Sequence, residues 1–169
     1  MTIREIRLFG DPVLTTVADE VTVFDRRLRT TVADMLETMD DAGGVGLAAN
    51  QIGLTKRIFV FDTTGTQNGL RGHIVNPVWE PVGDLRQFGP EGCLSIPELS
   101  ADTERYETVR VRGRNVDGAP ISLVASGLLS RCIQHETDHL DGVLFLKRLD
   151  DERRRDAMAA IRSSDWFNL

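Results

Sequence analysis

The chain has 169 residues, of which 41% are hydrophobic and 27% are charged, and its formal net charge is −6 at pH 7. This length predicts a single domain spanning residues 1–169, and the composition is typical of a soluble globular protein. No apolar run is long enough to cross a membrane, and the acidic balance argues against the basic surface of a nucleic-acid-binding protein. Residues 1–10 also lack the long apolar stretch of a secretory signal, so we expect a cytoplasmic location.

The first half of the chain contains one predicted helix and two predicted strands. Apolar residues recur at helical spacing across residues 28–39. Asp25 can cap the start of this helix, and the pair Gly43-Gly44 can end it. Short, mostly apolar runs then predict two buried strands, at residues 57–62 and 73–79.

A β-hairpin and two helices are predicted in the second half. Residues 108–114 alternate apolar and charged side chains, and a turn at Asp117-Gly118 leads into a strand over residues 121–125. Ser126 can cap a helix over residues 127–140 that ends near Gly142, and a highly charged helix covers residues 150–162. This order of elements predicts an α+β fold with a mainly antiparallel sheet.

The strongest local motif is a His-Glu-x-x-His sequence on the predicted helix over residues 127–140. His135 and His139 are four residues apart, so both imidazoles lie on one helix face and can reach one cation. Glu136 follows the first histidine and can hydrogen-bond a water bound to that cation. The chain has three histidines; the third, His73, begins an apolar strand and is expected to be structural.

A catalytic metal centre of this kind needs a third protein ligand. The position of the third metzincin histidine is occupied by Phe145, and Glu152 is too close for a thermolysin-like arrangement. The donor is therefore expected upstream, and the two cysteines are the candidates. Cys93 lies between Gly-Pro and Pro, which predicts a bend or loop that can meet the helix from the opposite side. Cys132 shares the helix face of the histidines, where three ligands would strain to converge on one ion, so it is expected at the edge of the site.

Three segments resemble the signature motifs of the peptide deformylases. They are GVGLAANQ at residues 44–51, EGCLS at residues 91–95 and QHETDHL at residues 134–140. The motifs occur in the family's order and at similar spacing, and the resemblance extends to flanking segments: GDPVL at residues 10–14, NP at 76–77 and DGVLF at 141–145. The resemblance implies the deformylase α+β fold, with antiparallel strands around the His-Glu-x-x-His helix. It also implies hydrolysis of the N-formyl group from nascent polypeptides that begin with formyl-methionine, with release of formate.

The resemblance also implies a role for each site residue. One divalent ion, Fe(II) with Zn, Ni or Co as substitutes, would be held by Cys93, His135 and His139. Glu136 would move the proton, while the Gln51 amide and the backbone N–H of Leu94 would stabilise the oxyanion. Four further residues would bind the substrate: Gly44, Val45, Gly46 and Cys132. Of these, Val45 and Cys132 would line the methionine pocket together with Leu94.

Several further expectations accompany this interpretation. Glu91 and Arg105 are hypothesised to pair and to brace the segment that carries Cys93. Many family members have Gly where this chain has Glu98, and some have Arg where it has Ser100, which leaves peptide preference open. The partners implied are N-formylated nascent peptides, and the charged helix over residues 150–162 either contacts the ribosome or is a solvated face.

Two other functions are compatible with the motif alone. An endopeptidase would use the same helix but would need a downstream histidine or carboxylate as third ligand. A metal-stabilised binding module would close the site with four ligands, for example with both cysteines, and would give Glu136 and Gln51 no role.

Overall fold

The computed structural model describes residues 2–168. Three α-helices, seven β-strands and four short 3-10 segments form within them, and none of these helices has the length and apolar character needed to span a membrane. The predicted α+β class is confirmed. The elements are α1 (Arg26–Asp41), β1 (Gly46–Ala48), β2 (Ile58–Asp62), β3 (Arg71–Pro81), β4 (Arg86–Cys93), β5 (Ile96–Tyr106), β6 (Thr108–Arg114), β7 (Pro120–Ser126), α2 (Gly127–Leu140) and α3 (Asp151–Ser163).

Helix α1 forms where the apolar spacing predicted it. The Asp25 carboxylate caps it by accepting a 3.1 Å hydrogen bond from the Leu28 N–H. The helix ends before Gly43, whose φ of +66° is the left-handed conformation that terminates many helices. Its buried face packs against β1 and β2 and contributes to one of the apolar clusters, through Leu28, Val32, Met35 and Met39.

Five strands form an antiparallel sheet in the order β1-β2-β3-β6-β7. The register of β3 against β6 shifts between Val75 and Val78, on either side of the Asn76-Pro77 pair. Proline has no N–H for the sheet, and Asn76 turns its side chain to Val21, with which it forms two 2.8 Å bonds. The predicted hairpin is confirmed as β6 and β7.

The second sheet is a hairpin of β4 and β5, and the bend predicted near Cys93 lies within it. The bend is the turn at Leu94-Ser95, which joins the end of β4 to the start of β5 and is shorter than the proline spacing indicated. Prolines at positions 90 and 97 suggested the loop. A two-stranded sheet has two free edges, so a proline whose missing N–H faces an edge costs no ladder bond.

Helix α2 spans the predicted residues and is almost entirely buried, because it lies between the five-stranded sheet and the β4–β5 hairpin. Ser126 is at its N-cap, but the predicted capping bond is absent among the described residues. The Ser126 hydroxyl instead lies 2.8 Å from the Thr108 hydroxyl across the β6–β7 pair, so it is already engaged. The helix ends at Leu140, before Gly142 with φ +69°.

Helix α3 covers the outer face of the hairpin. Asp150 caps its start by accepting a 2.8 Å bond from the Arg153 N–H. Its apolar residues close a small separate cluster with β5 and the turn at Phe145–Arg148, and α3 therefore fixes the hairpin against the rest of the fold. The fully or nearly buried members of this cluster are Ile96, Phe145, Leu146, Leu149, Ala157 and Ile161.

Candidate active site

One thiol and two imidazoles converge where the end of β4 meets α2. The ligand atoms of Cys93, His135 and His139 all lie within 4.8 Å of one another, and Cys93 Sγ is 3.2 Å from His139 Nε2. Helical spacing brings the two histidines together, and the β4–β5 turn places the cysteine opposite them. One thiolate and two neutral imidazoles fit a borderline-soft divalent ion with ligand bonds of about 2.0–2.3 Å. The predicted triad is therefore brought together.

The other cysteine lies beside this centre. Cys132 Sγ is 3.5 Å from the Val45 carbonyl oxygen, and its residue is buried. Burial raises the pKa of the Cys132 thiol well above its usual value, and the nearby Glu136 and Glu91 carboxylates raise it further. Since metals bind the thiolate, this environment favours a neutral thiol in the cavity wall over a ligand. The structure places Cys132 at the edge of the site, where it was expected.

A buried carboxylate orients the first histidine. Glu91 Oε1 lies 2.6 Å from His135 Nδ1, which leaves the other ring nitrogen for the metal. Arg105 forms two bonds to the same carboxylate, of 2.5 and 3.0 Å, and Arg131 forms a third of 2.7 Å. Burial works to raise the pKa of Glu91, but the hydrogen bonds from His135 and Arg105 outweigh it and hold that pKa far below its usual range. The hypothesised pairing of Glu91 with Arg105 is confirmed.

The ion network continues along α2 through a second buried carboxylate. Asp138 accepts a 2.8 Å bond from Arg105 and bonds of 2.6 and 3.0 Å from Arg148. Arg105 therefore links the carboxylate that supports His135 to the residue just before His139. Asp138, Arg131 and Arg148 were not predicted from the sequence, because no local pattern distinguishes a buried ion pair from surface charge.

Two donors surround the centre on the side of the thiol. The Gln51 side-chain oxygen accepts a 2.8 Å bond from the Ala48 N–H, which fixes the amide and turns its nitrogen toward the metal ligands. That nitrogen lies 3.2 Å from Ser95 Oγ and 3.6 Å from Cys93 Sγ. The N–H of Leu94 is in the turn next to the cysteine, and no loop or turn hydrogen bond within residues 2–168 takes it up.

The Glu136 carboxylate occupies the opposite wall. Glu136 is 4% exposed, and its Oε2 atom has no hydrogen-bond partner among the residues that the structure describes. Burial raises the pKa of Glu136 to about 7, with nearby Glu91 contributing and His135 opposing. A carboxylate with a pKa near neutrality can both accept and return a proton during turnover.

Strand β1 passes so close to this carboxylate that any side chain at Gly46 would displace it. A Cβ atom at Gly46 would lie 2.4 Å from Glu136 Oε1 and 2.7 Å from Cys132 Sγ. The Val45 carbonyl accepts a 2.9 Å bond from the Asp62 N–H. Because antiparallel bonds alternate along a strand, the N–H and C=O of Gly46 point away from β2, toward the site. At Gly44, a Cβ atom would lie 2.7 Å from the Leu94 side chain.

These groups open into a cavity of about 760 Å³. Every predicted site residue except His139, which is 0% exposed, lines it. Five apolar residues that were not predicted from the sequence form further walls: Ile6, Ile96, Pro97, Leu99 and Leu128. The remaining histidine of the chain is remote from the cavity: His73 Nε2 accepts a 3.1 Å bond from the Val116 N–H, as expected for a structural residue.

The fold and the site define a metal-dependent hydrolase, and the comparisons with known proteins identify its family. The polypeptide deformylase family model matches residues 3–155. Peptide deformylase 1 of Corynebacterium efficiens is 67% identical, with 99% of each chain covered. Peptide deformylase 1 of Corynebacterium glutamicum is 64% identical with the same coverage.

Solved structures give the same result. A peptide deformylase from Thermus thermophilus superposes with a TM-score of 0.87 at 40% identity, over 95% of this chain and 94% of that one. A Synechococcus elongatus peptide deformylase in complex with actinonin gives 0.88 at 38% identity, over 99% and 92%. The chain belongs to the polypeptide deformylase family. Members are metal-dependent enzymes that remove the N-formyl group from nascent polypeptides, so the predicted family, fold and activity are confirmed.

Proposed function

We propose that this deformylase cleaves formyl-methionine peptides within one domain, residues 1–169, at the centre formed by Cys93, His135 and His139. The observation that carries the proposal is the convergence of these three donors between the Gln51 amide and the Glu136 carboxylate. A divalent ion on the three donors would lower the pKa of water and polarise the formyl oxygen.

Glu136 carries the proton in the proposed reaction. It takes a proton from the attacking water and delivers it to the amine nitrogen of the methionine as the C–N bond breaks. Formate and the free N-terminus are the products, so protons balance over one cycle. The unpartnered Oε2 atom and the pKa near 7 support this role.

The Gln51 amide and the Leu94 N–H donate to the formyl oxygen as negative charge develops on it. Both are positioned before substrate arrives: the amide by its bond from the Ala48 N–H, and the N–H by the turn after β4. Donors fixed in advance stabilise the transition state without reorganising, and losing one typically costs about 3–4 kcal/mol.

The substrate main chain pairs with β1 in this proposal. Gly44, Val45 and Gly46 border the cavity, and the outward-facing backbone groups of Gly46 offer a donor and an acceptor to an extended peptide. Such bonds are independent of side chains, which suits an enzyme acting on many nascent chains. Val45, Leu94 and Cys132 supply the surface for the methionine side chain.

Metal content distinguishes the two cysteines. Cys93→Ala is expected to lose the bound ion, because the ion would keep only two protein ligands, whereas Cys132→Ala is expected to retain about one ion per chain. The measurement is elemental analysis of each purified protein after dialysis. Retention of the ion by Cys93→Ala together with its loss from Cys132→Ala would reverse the ligand assignment.

The proposed ion is Fe(II), although the ligand set also suits Zn, Ni and Co. Protein purified without oxygen is expected to contain iron and to lose activity on exposure to air, while nickel-substituted protein keeps its activity. Elemental analysis and formate release from formyl-Met-Ala-Ser, before and after aeration, test this. An air-stable, fully active zinc protein from the same preparation would contradict the iron assignment.

Cleavage of an unformylated internal peptide without formate release would favour an endopeptidase over the proposed function.

A nascent-chain substrate supports a cytoplasmic location and a transient contact with the ribosome. The exposed surface of α3 includes Arg155 and Arg162, neither of which is in an ion pair among the described residues. These cations could face the phosphates of ribosomal RNA. Co-sedimentation with ribosomes at low and high salt tests this contact.

A further inference from the structure

A strap formed by residues 2–9 connects the backbones of two active-site segments, and most of it lies outside any helix or strand. The Arg7 N–H donates a 2.7 Å bond to the carbonyl oxygen of Gln51, and the Phe9 N–H donates a 2.8 Å bond to that of Ser95. The Ser95 hydroxyl in turn accepts the 3.2 Å bond from the Gln51 amide. The strap therefore holds both the backbone of the catalytic amide and the residue that the amide contacts.

The other end of the strap is anchored to α1 by a buried carboxylate. Asp34, which is 2% exposed, accepts a 2.9 Å bond from the Thr2 N–H and bonds of 2.8 and 3.0 Å from the Arg4 guanidinium. The Arg4 N–H donates a 2.9 Å bond to the buried Thr38 hydroxyl. A buried carboxylate is costly unless it is paired and hydrogen-bonded. Every hydrogen bond that the Asp34 carboxylate accepts within residues 2–168 comes from the strap, so the strap is what this carboxylate holds.

Little slack separates the anchored end of the strap from the active-site end. Three peptide units join Arg4 to Arg7, which is a span of at most about 10–11 Å in an extended chain. Ile6 lies within this span and lines the main cavity. Helix α1 also packs against β1, which borders the same cavity. Because these parts form one connected frame, loosening of the strap at α1 would reach the backbone of Gln51.

We propose that Asp34 is a positioning residue for the Gln51 amide and that it acts through the strap. While the strap is anchored, Gln51 and Ser95 keep a fixed separation, and the amide directs one N–H to the Ser95 hydroxyl and the other to the formyl oxygen. Without the anchor, the two residues can move apart and the amide loses its fixed direction. The inference rests on the proposed function, since it requires the amide to stabilise the oxyanion.

Replacing Asp34 with asparagine tests the anchor. Asp34→Asn keeps the size of the side chain but removes the charge that binds Arg4. In the metal-loaded enzyme, kcat for formyl-Met-Ala-Ser is expected to fall by about 3- to 10-fold, less than the cost of about 10²–10³-fold for losing an oxyanion donor outright. KM is expected to stay within about 2-fold, because the amide acts mainly in the transition state. Assays well below the unfolding temperature of the variant exclude a loss of folded protein.

A double-mutant cycle with Gln51→Ala separates positioning from general destabilisation. If Asp34 acts through the amide, Asp34→Asn is expected to change kcat by less than about 2-fold once Gln51 is replaced. A second readout does not depend on activity. In zinc-loaded protein, NMR relaxation of the Gln51 side-chain amide is expected to show a rigid group in the wild type and a mobile group in Asp34→Asn.

A second anchor variant and a matched control accompany Asp34→Asn. Thr38→Val removes the acceptor for the Arg4 N–H without changing any charge, and it is expected to lower kcat by about 2- to 5-fold and to loosen the Gln51 amide. Asp117→Asn makes the same chemical change as Asp34→Asn in a carboxylate that pairs with Arg29 of α1 over 2.6 Å, away from the strap. This control is expected to leave both kcat and the Gln51 amide unchanged.

The outcomes distinguish the anchor from the reaction itself. Wild-type kcat in Gln51→Ala would overturn the oxyanion role on which the inference rests. A rigid Gln51 amide in both Asp34→Asn and Thr38→Val, or equal losses of kcat with and without Gln51, would overturn the positioning role of Asp34 alone.

Discussion

Replacing Glu136 with glutamine is expected to slow formate release by about 10²–10⁴-fold, the usual contribution of a positioned proton carrier. The amide has nearly the same shape as the carboxylate, so the walls around Gly46 and Cys132 stay in place. It cannot take a proton from the attacking water, and that step is therefore lost. The measurement is kcat for formyl-Met-Ala-Ser with matched metal loading.

A second set of measurements tests whether the loss of activity comes from the proton transfer alone. Metal content and thermal stability of Glu136→Gln are expected to match the wild type, because no ligand or ion pair changes. Glu152→Gln, an exposed carboxylate on α3, is expected to keep full activity. Formate release at the wild-type rate by a fully metal-loaded Glu136→Gln would remove Glu136 from its proposed role.

Arg105→Ala is expected to lower the free energy of unfolding by about 3–5 kcal/mol, the cost of breaking a buried ion pair. Arg105 is 4% exposed and is shared by Glu91 and Asp138. Its removal leaves both carboxylates partly uncompensated in a dry environment. Because Glu91 also orients His135, the variant is expected to bind its metal more weakly. Urea denaturation and elemental analysis measure the two effects.

Arg86 provides a matched control on the same hairpin. It pairs with Glu104 over 3.7 Å, lies over the Tyr106 ring and has a side chain that is 43% exposed, so Arg86→Ala is expected to cost about 1–2 kcal/mol. Equal stability losses in the two variants would mean that the buried network contributes no more than a surface pair. Unchanged stability and metal content in Arg105→Ala would refute the bracing role of the pair.

Sequence alone identified the elements whose patterns are local. Helical spacing indicates that His135 and His139 share a helix face, short apolar runs indicate strands β2 and β3, and alternation indicates strand β6. Because no third metal ligand lies downstream of His139, the third donor was predicted upstream, at Cys93. The structure brings the Cys93 thiol to the histidines. These inferences succeeded because each depends on residues close together in the chain or on a single missing partner.

Other features depend on contacts between distant segments and could not be read locally. Strand β1 has only 3 residues, too few to show an alternating pattern. The hairpin of β4 and β5 contains prolines that resemble loop punctuation, yet its free edges tolerate them. The bond of Ser126 was misjudged because Thr108, across the sheet, competes for its hydroxyl. Asp138 and Arg131 join the site only through the packing of α2 against the hairpin.

Strand β1 is also an edge strand, and edge strands are usually dangerous because any extended chain can add to them and aggregate. Here all 3 residues of the strand are buried, and it borders the catalytic cavity at Gly46. So short a ladder holds a partner chain only briefly, since even an isolated hairpin is marginally stable in water. We therefore expect the short length of β1 to set the time for which a nascent chain stays bound. That time is long enough for hydrolysis, yet short enough for the chain to leave and fold.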